Sequence, residues 1–199
     1  MTTRAKKITV LVDHVAHECA ISGIKFELRN TETVVDRHTI GFFSAFSKEL
    51  IVAAKDEDFE QVVGHEFSHL KQWREGVFDC EDEYEAWDEW LTGTRSLDPA
   101  TVIHNARLIS ECELDCEKRT VKLLEQFGLL SARAKRQYVK RANAYVYMHE
   151  IARQQGRWSV AGRSPMEKQE IWDLLPAKFT KDVGRVPDDF LAAVLEHCY

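Results

Sequence analysis

The sequence predicts an α+β fold: a small mixed or antiparallel sheet comes first and a mostly helical C-terminal half follows. Two observations carry this. Up to about residue 57 the chain holds short segments rich in β-branched and aromatic residues that alternate with polar ones. Beyond that point apolar residues recur every three or four positions over much longer stretches, several of them closed by glycine. Strands grouped before helices is the α+β order.

The elements follow in turn. Residues 7–12 alternate weakly and are β-branched, which reads as a strand, and a short helix is expected over 14–21. "IKFELR" alternates again and reads as a second strand. "IGFFSAFSKELIVAA" reads as two strands around a turn at Ser47 and Lys48. A helix is expected from Asp58, which with Gln61 has the form of a capping box, to a stop at Gly76. Phe59, Val62, Val63, Phe67, Leu70 and Trp73 mark its buried side. The acidic stretch 79–90 reads as a helix with Trp87 and Trp90 inward. "SLDPA" breaks the chain, and long helices follow over 100–127 and 131–155, ended by Gly128 and Gly156. Residues 163–187 read as irregular around Pro165, Pro176 and Pro187, before a last helix in "DDFLAAVLEHC". The expected organisation is one domain over 1–199: a sheet-rich part (1–57), the helices bearing the chemistry (58–128) and a helical extension (129–199).

Composition narrows the function. The 199 residues are 44% hydrophobic and 30% charged. A chain of this size buries roughly 70% of its unfolded surface, so it needs no disulfide or metal to fold. A metal here is therefore expected to be functional. The net charge of −6 argues against nucleic acid as the main partner. The local exception is Arg133, Lys135, Arg136, Lys140 and Arg141, which could meet the acidic segment 79–89 or a nucleic acid. Cys19, Cys80, Cys112, Cys116 and Cys198 are odd in number and form no C-x-x-C pair, which reads as reduced thiols in a cytoplasmic protein. No apolar run reaches the about 18 residues of a membrane span, so no membrane partner is expected.

His65, Glu66 and His69 form H-E-x-x-H within the expected helix. Positions i and i+4 share a helical face, so two imidazoles can reach one Zn²⁺ at about 2.0–2.1 Å. Glu66 lies about 100° round the helix, where it can take a proton from an attacking water. The alternative is a pair of hydrogen-bonded core histidines, but two imidazoles and a carboxylate among core residues need a strong reason.

A catalytic zinc needs a third protein ligand and an open fourth position. In "LISECELDCEKRTVKLLEQFGL", Ile109, Cys112, Cys116, Thr120, Leu123, Leu124 and Phe127 fall on one arc, and Glu113 and Glu117 fall inside it. Glu111 and Asp115 fall opposite, with Lys118, Lys122 and Glu125. Carboxylates inside an apolar stripe are costly unless paired or metal-bound. Glu113 is thus the expected ligand, and Glu117 the expected acceptor for a ligand histidine. Glu83 and His104 are rival third ligands. His14 and His17 read as structural, and Tyr138, Tyr145 and His149 as packing residues rather than oxyanion donors.

These residues resemble the glutamate-liganded, gluzincin-like branch of the zincin metallopeptidases, in which H-E-x-x-H is followed on a later helix by a glutamate. "HEFSHLKQW", "ELDCEKR" and "KRANAYVYMHE" are together similar to small metallopeptidases carried by bacteriophages. Glu117 stands where that branch more usually has Asp or Asn. The resemblance implies a zincin-like fold, one Zn²⁺, a protein or peptide substrate, and residence in the cytoplasm, the host's for a phage-borne chain. It also implies that residues 42–46 form the sheet edge where a peptide adds as a strand. A DNA-associated SprT-like protease and a non-catalytic binding module stay open beside it.

Overall fold

The computed structural model describes residues 3–34, 39–78, 80–160 and 163–199. The fold is α+β, a three-stranded mixed sheet with a mostly helical remainder. The chain divides into two compact units, Met1–Asp79 with Cys116–Ser131, and Cys80–Asp115 with Ala132–Tyr199.

In the first unit, residues 7–12 are not the expected strand: they lie inside one helix, α1 (Arg4–Ile21). Thr3 caps it by accepting from the Lys6 amide. Leu11, Val15 and Cys19, four apart, are its buried stripe, while the β-branched Val10 lies half exposed. The helical repeat outweighed the local β-propensity because the 18-residue helix spans about five turns, whereas the alternation covers only a short stretch within it.

The expected strands form as β1 (Lys25–Arg29), β2 (Gly41–Ser44) and β3 (Glu49–Ala53). Their order is β1-β3-β2, with β3 parallel to β1 and antiparallel to β2. Leu50, Ile51, Val52 and Ala53 of the central strand are buried on both faces. β2 is thus an edge. Its hairpin closes through Lys48, whose φ of 58° is left-handed. The Lys48 ammonium sits 4.3 Å from the Trp73 ring centroid, a cation–π contact that helps hold that turn.

α2 (Phe59–Glu75) packs against β2 and β3. Asp58 precedes it, but in place of the side-chain-to-backbone cap bond of the expected capping box its carboxylate accepts from the Gln61 side-chain Nε2 at 2.6 Å. Gly76 ends the helix at φ 62° as expected. Glu60 is buried, and the Arg4 guanidinium pairs with it. The last turns of α4 (Pro99–Gln126) also belong to this unit. They lie close to α2 at Gly64, where a Cβ would stand 3.2 Å from Thr120 Cγ2. Ser68 and Thr120 hydroxyls join there at 3.1 Å. This close approach sets Cys116 and Glu117 beside His65.

In the second unit, α3 (Glu81–Leu91) is the expected acidic helix; Asp79 of that segment lies outside the described residues. Trp87 is buried with Val102, Ala106 and Ile109 of α4 and Ala152 of α5 (Ala132–Gln155). Asp98 caps α4 by accepting from the Ala100 and Thr101 amides. Residues 163–187, expected as irregular, hold a 3₁₀ turn (Pro165–Glu167) and α6 (Gln169–Trp172). Ile171 and Trp172 pack with Met148 and Ile151 of α5 and with Phe190 and Val194 of α7 (Asp188–Cys198). Asn143, fully buried, donates to the Pro176 and Lys178 carbonyls and accepts from the Thr180 amide. One side chain thereby organises a stretch that carries no hydrophobic period. All five cysteines are buried thiols, and no described helix is long and apolar enough to cross a membrane.

Candidate metal centre

α2 carries His65 and His69 on one face, with ring centroids 4.8 Å apart. Their outer nitrogens are both engaged. His69 Nδ1 donates to Gln72 Oε1 at 2.9 Å, and His65 Nδ1 meets Glu117 Oε1 at 3.3 Å. In a neutral imidazole a protonated Nδ1 leaves Nε2 as an acceptor. The two Nε2 atoms nevertheless face each other at 3.1 Å. Two acceptors so close are held only by a cation between them, either a proton or a metal. Nitrogens bonded to one tetrahedral Zn²⁺ lie about 3.3 Å apart, given bonds of about 2.0–2.1 Å.

The electrostatics agree with that geometry. Burial favours the neutral ring of His65. The Coulomb field and hydrogen bond of Cys116 and those of Glu117 outweigh it, and the pKa is raised well above its ordinary value. The same fields that attract a proton attract a metal ion.

His65, His69, Glu113 and Cys116 make up a group whose donor atoms could hold a metal ion. Cys116 Sγ lies 3.2 Å from the His65 carbonyl, to which the thiol donates, and 3.5 Å from His65 Nδ1. It stands on the Nδ1 side of that ring, and the donor atoms of all four residues lie within 4.8 Å of one another. Glu113 lies one turn before Glu117 on α4, and both are buried. Glu111 is partly exposed and forms a surface pair with Arg107. The donor set of two imidazoles and a carboxylate fits Zn²⁺.

Glu66 is buried at 7% exposure. Gly41 makes room for it. A Cβ at Gly41 would come within 2.5 Å of Val62 Cγ1 and 3.2 Å of Glu66 Oε1, so only glycine lets edge strand β2 lie so close to this carboxylate.

In the second unit the Tyr84 hydroxyl donates to Glu113 Oε1. Burial, and then the negative field of Glu113, raise the Tyr84 pKa well above the ordinary phenol value, so it stays a donor. His149 is buried against the Tyr145 and Trp158 rings, and among the described residues neither ring nitrogen finds a hydrogen-bond partner. Burial lowers its pKa to about 4, against which the Glu113 field works.

A depressed histidine pKa makes the unfolded chain the better proton acceptor. Its contribution to stability is complete above the unfolded pKa of 6.5 and is lost as pH falls toward about 4. The expected loss over that window is about 3 kcal/mol. Urea unfolding at pH 7 and pH 4 measures it, and His149→Leu should flatten the slope by that amount.

The other candidates stand elsewhere. Among the described residues Glu83, His104, His14 and His17 do not belong to the metal-holding group. His104 is exposed, and His14 packs against the rings of Phe67 and Phe127. Gly41, Gln72 and Tyr84 are the contributors that sequence reasoning missed. Gln72 had a signal, since it sits three residues after His69 on the same helix. No family model, curated protein or solved structure matches this chain.

Proposed function

We propose that the chain is a zinc-dependent metallopeptidase of the glutamate-liganded zincin type. The supporting observation is the pair of Nε2 atoms facing each other at 3.1 Å with both Nδ1 atoms engaged by Gln72 and Glu117. His65, His69 and Glu113 would hold one Zn²⁺. When bound, the ion supplies Lewis acidity to the reacting carbonyl.

The chain's own groups do the rest. The Glu66 carboxylate accepts the proton of the attacking water and passes it to the leaving amine. Gln72 and Glu117 keep each imidazole in the tautomer that presents Nε2. β2, an edge strand whose backbone passes Glu66 at Gly41, offers ladder hydrogen bonds to an extended peptide. Water attacks the peptide carbonyl carbon, the C–N bond breaks, and an acid and an amine leave.

Metal removal tests the proposal. Dialysis against a strong chelator should abolish cleavage of a fluorescently labelled unfolded protein. One equivalent of Zn²⁺ should restore it. Cleavage that survives chelation contradicts the reading.

A further inference from the structure

α3 carries five carboxylates between Glu81 and Glu89 besides Asp88, yet it is docked rather than solvated all round. Its apolar contacts come from Tyr84, Trp87 and Leu91, spaced three and four apart on one face. Glu81, Asp82, Glu85 and Asp88 lie exposed on the rest. The docking surface includes Ile109 of α4, one turn before Glu113. Tyr84 therefore has its ring packed in that cluster and its hydroxyl on Glu113 Oε1.

Resting on the metallopeptidase reading, we propose that Tyr84 is a positioning residue for the third metal ligand: its phenol fixes the Glu113 carboxylate while leaving the negative charge intact. The choice of group has a chemical reason. An Arg or Lys at this place would orient the carboxylate equally well but would neutralise it and compete with a cation. A phenol occupies one lone pair of Oε1 and leaves Glu113 an anionic ligand. α3 is then the support for the centre, and its acidic face is the outer side of that support.

A double-mutant cycle on zinc affinity tests this, measured by competition with a chromophoric chelator on the full chain. Tyr84→Phe keeps the ring and its packing and should weaken zinc binding at least about tenfold. In a Glu113→Ala background the same change should have no further effect, because Tyr84 acts through Glu113. Glu113→Gln repeats the cycle should the alanine variant fail to fold. Melting of the metal-free chains reports packing separately. Unchanged affinity in Tyr84→Phe, or an equal loss in both backgrounds, overturns the positioning role while leaving the ligand assignment standing. A wild type that binds no zinc, or a Glu113→Ala chain that binds as tightly, overturns the ligand assignment and Tyr84's role with it.

Discussion

Glu66→Gln should lower kcat by about 10²–10⁴-fold, the usual contribution of a general base, while zinc affinity stays at the wild-type value. The substitution is isosteric, so the packing beneath Gly41 is preserved. An amide cannot take the proton from water, and only that step is removed. Glu66 is outside the residues that could hold the metal, so affinity has no reason to fall. Rates on a labelled peptide, with zinc content measured on the same preparation, separate three outcomes. Lost turnover with zinc retained supports the proposed role. Loss of both would place Glu66 in the metal shell. Turnover equal to wild type would remove it from the chemistry, and no turnover in wild type would favour the binding module.

Glu113→Ala should weaken zinc binding by on the order of 3 kcal/mol, about a hundredfold, since a four-ligand site gains roughly 10–16 kcal/mol in all. Glu111→Ala and Glu83→Ala are the controls. Glu111 is on the same helix but partly exposed and paired with Arg107, and Glu83 projects from α3 outside the metal-holding group. Both should bind zinc within about twofold of wild type, because surface pairs contribute little. Equal losses among the three would contradict the division of α4 into a metal face and a solvent face.

The split of α4 into a buried arc and a solvent-facing arc was legible in the sequence because it rests on one number, the 100° step of a helix. Glu113 and Glu117 share an arc with Cys112 and Cys116, and all four are buried. The H-E-x-x-H face was legible for the same reason. α1 was not, since Ile8, Val10 and Val12 imitate a strand over a short window and only the longer stripe of Leu11, Val15 and Cys19 reveals the helix. Contacts made between elements around the candidate site were hidden too. Gly41 matters through a backbone approach between a strand and a helix, and Tyr84 through the docking of α3 on α4. Such contacts depend on how elements pack, which a periodicity does not encode. Asn143 is similar: nothing in "KRANAYVYMHE" announces that it ties down residues 176–180.

X-ray absorption at the zinc edge on the purified, zinc-loaded chain reads the ligand set itself. One zinc per chain is expected, with two imidazole nitrogens at about 2.0–2.1 Å, carboxylate and water oxygens at about 2.0–2.2 Å, and no sulfur. A sulfur shell at about 2.3 Å would make Cys116 a ligand, and absence of bound zinc would remove the centre altogether; either result contradicts the assignment of His65, His69 and Glu113.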